Sequence, residues 1–183
     1  SKYQGEEFST DIYSSSYQEQ MLRLAIDRHF ETEKSNFDRT FPIKTLALFF
    51  IDDIHSYRKD AKSDKEPYLK NTFERLLLSK IDEVLPTLQS ADDTEYKAYL
   101  EATKADIGVC HAGYFSQDNS NSDDEIAKEI NEILYDKKSL LSIKTAEGKF
   151  NTRRFLFSKW TLKEGWDNPN VFTITKLRSS GSD

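Results

Sequence analysis

The sequence predicts an α/β fold, a parallel sheet with helices on its faces. Three observations carry this. Residues 43–51, IKTLALFFI, form an unbroken apolar run of strand length, the pattern of a strand buried on both faces. Two more strand-like runs lie near the other end, RRFLFS at 153–158 and VFTITKL at 171–177. Between them the apolar residues recur at the helical period, and strands separated by helices argue for parallel pairing.

Residues 1–16 are polar and Ser-rich and read as a flexible lead-in to a domain over 17–183. From Tyr17 to about Lys34, the residues Met21, Leu22, Ala25, Ile26, His29 and Phe30 line one face of a helix. The strand IKTLALFFI follows Pro42 and stops at Asp52-Asp53. A loop of Lys, Asp and Ser over 58–66 precedes a second helix, where Leu69, Phe73, Leu76, Leu77, Ile81 and Val84 keep the period until Pro86. Tyr96, Tyr99, Leu100 and Thr103 mark a third, shorter helix. The run DIGVCHAGYF reads as a strand from about Ile107, with Gly113 in the turn beyond it. Ser122 and Glu125 make a capping-box pattern ahead of a stripe of Ile126, Ile130, Ile133 and Leu134. Another helical turn or two is expected over 137–143, then a turn at AEGK, then the last two strands.

At 183 residues the chain has room for one ordinary domain and little more. With a single Cys, Cys110, it has no internal disulfide framework and no four-Cys zinc site, which points to a reducing, cytoplasmic setting. No apolar run approaches the ~20 residues of a membrane span, and no signal-peptide pattern opens the chain. The first residue is not Met, as expected of a processed or excised piece.

A formal charge of −6 argues against coating nucleic acid by bulk attraction. The charge is uneven, however. Residues 149–178 hold seven basic side chains (Lys149, Arg153, Arg154, Lys159, Lys163, Lys176, Arg178) against Glu164 and Asp167, a local +5. This is the pattern of a basic binding edge on an acidic body, or simply of a solvated surface.

In open parallel sheets, ligands bind at the carboxyl ends of the strands. That rule selects the loops beginning at Asp52, at about His111, at Ser158 and at about Arg178. Asp52-Asp53 offers oxygen ligands to a divalent cation, but a helix N-cap is the preferred reading. His111 reads as a structural or hydrogen-bonding residue, since His29, His55 and His111 share no metal-ligand spacing. No G-x-S-x-G elbow and no glycine-rich phosphate loop occurs. Two Glu-x-Lys triplets, at 95–97 and 147–149, evoke metal nucleases, yet they fall in a helix and a turn where such triplets need a strand. The stretch EGWDNPN, 164–170, is unusual: Gly165 permits close backbone approach, Trp166 can cover an apolar face, Asp167 offers a carboxylate, and Asn168-Pro169-Asn170 is turn chemistry.

The whole segment FLFSKWTLKEGWDNPNVFTITKLRSSGSD, 155–183, resembles the second RecA-like lobe of superfamily 2 helicases. Within them it resembles the Res subunits of type III restriction-modification enzymes, whose members read close to RFIFSxxALxEGWDNPNVFQIxxL. Corroborating pieces occur in the same order: His29-Phe30, IKTLALFFID followed by Tyr57-Arg58, HAGYFS at 111–116 and DKKSLLS at 136–142. The resemblance covers about 17–183 and implies a RecA-like parallel sheet. It also implies that Ser158 contacts a DNA phosphate, with Lys159, Thr161 and Asp52 nearby, and that Gly165 and Asp167 face an ATP cleft. The parent enzyme would use ATP and Mg²⁺ as a DNA translocase of a type III site-specific deoxyribonuclease. Its partners would be DNA, a first RecA-like lobe and a nuclease domain of the same chain, and a modification (methyltransferase) subunit, with no membrane.

Two departures stand out. Lys159-Trp160-Thr161 replaces the family's more usual His or Asn, small residue and Ala. The family's Q-x-x-G-R-x-x-R segment, expected just beyond Asp183, is absent. The resemblance therefore implies no catalytic residue here, no cofactor bound by this piece alone, and neither ATP hydrolysis nor DNA cleavage by it. The alternative is a stand-alone DNA-binding or protein-interaction module.

Overall fold

The structure is a computed structural model that describes residues 4–115, 131, 135, 139–159 and 171–177. Its described elements are α1 (Gln4–Phe37), β1 (Leu46–Ile51), α2 (Tyr68–Val84), α3 (Thr94–Ala105), β2 (His111–Tyr114), β3 (Phe155–Lys159) and β4 (Val171–Leu177). The four strands make one sheet in the order β2-β3-β1-β4, every pair parallel, as the helix-separated strands predict. The arrangement is α/β and RecA-like.

The unbroken apolar run of β1 is explained by its two neighbours and two covered faces. Ala47, Phe49 and Ile51 point into a core shared with Leu22, Ile26 and Phe30 of α1, Phe73 and Leu77 of α2, and Tyr99 and Leu100 of α3. Leu46, Leu48 and Phe50 point the other way, onto Leu156, Tyr114 and Leu140. Side chains alternate across a strand, so a strand buried on both faces must be apolar at every position. The first core is rich in rings. Phe49 stacks on Phe157 at 4.8 Å, and Phe73 meets Phe49, Phe155 and Phe157 edge-on. Each such pair contributes about 0.5–1.5 kcal/mol beyond its buried area.

Helix α1 begins at Gln4, not near Tyr17, so the Ser-rich stretch expected as a lead-in is largely helical. No Pro or Gly interrupts residues 6–37, and nothing in the chain breaks the ladder of backbone hydrogen bonds. The second difference concerns β2. Residues 107–109 form a single 3₁₀ turn, the strand starts at His111, and Gly113 lies inside it. A Cβ on Gly113 would sit 2.5 Å from Cε2 of Phe115 and 2.8 Å from Cε1 of Tyr57. The glycine is there to admit rings, not to turn the chain. Gly148, by contrast, makes the AEGK turn with φ +81°, closing a hairpin in which Thr145 N–H donates to the Lys149 carbonyl at 2.7 Å. The capping-box helix predicted after Ser122 lies mostly outside the described residues.

A buried polar network ties α1 to the sheet. His29 and Glu33 sit on the same face of α1 as Ile26 and Phe30, all of them buried. The Glu33 carboxylate accepts from Tyr96 Oη at 3.0 Å, stands 2.6 Å from His29 Nε2, and pairs with Arg154, which immediately precedes β3. Arg154 also donates to Thr103 Oγ1 and to the Thr152 carbonyl. Burial alone would raise the Glu33 pKa. Arg154 and then His29 outweigh it and hold the carboxyl down at about 2.

Candidate nucleic-acid interface

The ends of all four parallel strands form the carboxyl edge of the sheet. In the parallel register Ile51 pairs with Lys159, while Ser158 lies between Phe50 and Tyr114. Asp52 follows β1 directly. Asp52, Ser158 and Lys159, three of the residues singled out from sequence, therefore come together on adjacent strands. Thr161, Gly165 and Asp167 lie outside the described residues. The fourth loop, after β4, begins beyond Leu177.

Placement sharpens the roles. Ser158 is inside β3, on the face that Leu156 shares with Leu140, and only 1% exposed; the strand ends one residue later, at Lys159, which is partly exposed. The capping reading of Asp52-Asp53 is realised by Asp53. Its Oδ1 accepts from the His55 N–H at 3.0 Å at the start of a 3₁₀ turn over 54–56. Among the described residues no group of three His, Cys, Asp or Glu is close enough to hold a metal ion. The two Glu-x-Lys triplets lie in α3 and in the Gly148 hairpin, neither of them on a strand.

His111 is the hydrogen-bonding residue expected, but it opens β2 at the amino end and does not mark the carboxyl edge. Its Nε2 is 2.7 Å from Glu74 Oε1 and its Nδ1 is 2.5 Å from Tyr57 Oη. Burial holds the His111 pKa below its ordinary value despite the opposing pull of Glu74. A neutral ring donating from Nε2 to the carboxylate leaves Nδ1 to accept from the Tyr57 hydroxyl. Burial also raises the Tyr57 pKa, keeping that hydroxyl protonated. Tyr57 stacks on Phe157 of β3 at 4.4 Å, so the loop after β1 folds over β3 toward β2. Nothing in the sequence linked Tyr57, Glu74 and His111, which are far apart along the chain.

Two residues change standing. Arg154, counted in the basic edge, is fully buried, and its charge is spent on Glu33. Cys110 is buried with Sγ donating to the Ile107 carbonyl, and burial pushes its thiol up to about 12, an unreactive state.

No family model matches the chain. It is 48% identical over 185 residues to the type III restriction-modification enzyme StyLTI Res subunit of Salmonella typhimurium, an alignment covering 93% of this chain. The chain belongs to the type III Res-subunit family. It is also 51% identical over 170 residues to the EcoP15I Res subunit of Escherichia coli and to the EcoPI Res subunit of Escherichia phage P1, again over 93% of its length. The chain spans only 16–18% of the length of these Res subunits. Among the described residues of this Res segment, no helix is long and apolar enough to cross a membrane.

Proposed function

We propose that this chain forms part of the second lobe of an ATP-driven DNA translocase in a type III restriction enzyme, and that its carboxyl sheet edge meets a DNA phosphate. The observation that carries this reading is the juxtaposition of Asp52, Ser158 and Lys159 on neighbouring parallel strand ends. Lys159, partly exposed, supplies positive charge where the strands converge, the kind of group that holds a phosphate without reading sequence, and the buried Ser158 sets the strand end from which it projects. Gly165 and Asp167 face the nucleotide side in this reading. ATP with Mg²⁺ would supply the free energy for movement, clamped against a first lobe elsewhere in the longer protein. A nuclease domain and a modification subunit would complete the cytoplasmic assembly.

The test is salt-dependent DNA binding by the purified chain. Binding should weaken steeply from about 50 to about 200 mM salt, and Lys159→Ala should reduce the slope of log K against log salt by about one contact. Turnover of ATP by this chain alone would overturn the division of labour, and salt-independent binding would overturn the phosphate contact.

A further inference from the structure

We infer that Arg58 is a second DNA-phosphate contact, carried across the sheet edge from the loop after β1. The inference rests on the proposed reading of this edge as a DNA site and adds a residue to it. Four observations place Arg58 there. The loop 52–57 is pinned over β3 by Tyr57, whose ring stacks on Phe157 and whose hydroxyl bonds His111 of β2. The Arg58 N–H then donates to the Ile54 carbonyl at 2.7 Å, fixing where the side chain departs. Its guanidinium lies 5.1 Å from the ring centroid of Phe115, the residue just past β2. Ser158 pairs with Tyr114, so Phe115 comes next to the end of β3, where Lys159 lies. Arg58 thus starts beside β1 and ends beside β2, passing over the end of β3.

The chemistry of that position suits a phosphodiester. Arg58 is exposed, and among the described residues no carboxylate pairs with it. The other charges on the loop are placed differently: Asp52 follows β1 directly, Asp53 caps the 54–56 turn, and Lys59 pairs with Glu66 at 2.6 Å. Lying over the Phe115 ring restrains the guanidinium, and its fixed fork of donors matches two phosphate oxygens. The recognition is of backbone charge alone and carries no base specificity.

The experiment is fluorescence anisotropy of a labelled single-stranded oligonucleotide, titrated with the parent chain and with Arg58→Gln, Arg58→Lys and Phe115→Leu over about 50 to 200 mM salt. Arg58→Gln should lower the salt slope by about 0.7 and weaken binding about three- to tenfold. Arg58→Lys should keep the slope, and Phe115→Leu should keep it with weaker affinity, because the charge remains while its orientation is lost. Circular dichroism and thermal melting of each variant establish that the fold is kept. An Arg58→Gln variant with the parent's slope and affinity overturns this inference, and if Lys159→Ala still lowers the slope, the proposed function stands without it. A parent with no oligonucleotide affinity overturns both. Displacement of the oligonucleotide by Mg-ATP, lost in Arg58→Gln, would reassign the residue to the nucleotide phosphates and overturn the inference as stated.

Discussion

Arg154 Nε stands 2.5 Å from Glu33 Oε2, with the two side chains 0% and 2% exposed, so the residue before β3 is locked to the C-terminal end of α1 by a fully buried ion pair. Removing one partner strands the other charge in the core, at a cost of about 3–5 kcal/mol. Urea unfolding of Arg154→Met and of Glu33→Gln should each show a loss of that order. The double variant should lose less than the sum of the two, since no lone charge remains.

The same pair sets the acid limit of stability. Glu33 has a pKa of about 2 in the folded protein against an ordinary 4.5. The folded pKa is depressed, so the contribution is complete above pH 4.5 and is lost as pH falls toward 2. It amounts to about 3 kcal/mol. Stability measured over that window should fall more steeply in the parent than in the Arg154→Met, Glu33→Gln double variant.

Lys44 gives a slope of the opposite chemical origin. Burial lowers its pKa to about 7 from an ordinary 10.5, helped by Arg154 and opposed by Glu33. The unfolded chain therefore binds more protons than the folded one across that interval, and stability rises with pH there. Lys44→Met should be more stable than the parent at pH 7 and should flatten the rise between pH 7 and about 8.5, below the titration of the buried phenols. A parent stability that is flat over this range would contradict the assignment.

Around Tyr57 the prediction is steric as well as polar. Gly113→Ala forces a Cβ to within 2.8 Å of the Tyr57 ring and 2.5 Å of the Phe115 ring. Overpacking of this kind costs about 1–3 kcal/mol, readable as a lower melting temperature. Tyr57→Phe leaves the His111 Nδ1 without its hydroxyl and should cost about 1–2 kcal/mol by the same measurement.

How much of this was legible in the sequence follows from the range of the signals. Local periodicity exposed α2, α3 and β1, because burial of one face, or of two, writes itself into consecutive residues. It could not pair Glu33 with Arg154, or Tyr57 with His111, because such partners meet only once the sheet has formed. Gly113 was misplaced for a related reason: a glycine that admits a neighbouring ring is identical in sequence to one that turns the chain. The start of α1 was set too late because the apolar stripe fades before the helix does. Ser158 was placed near the carboxyl edge by a topological rule, and Arg58, noted in the sequence only as part of the Tyr57-Arg58 pair, received no role because its place over the sheet depends on contacts with β2 and β3.

The strand order has a consequence for how the protein is made. β1 occupies an inner position, yet both of its neighbours come from the last third of the chain, Ala47 pairing with Phe155 and with Thr173. On a ribosome adding about 5–20 residues per second, the most apolar segment of the chain waits roughly 5 to 20 s before any partner strand exists. During that interval LALFFI, residues 46–51, is an unpaired strand without a charge, the kind of segment that chaperones bind and that aggregates nucleate on. Slowing synthesis between residues 51 and 155 should therefore lower the soluble yield, whereas slowing it after residue 177 should not.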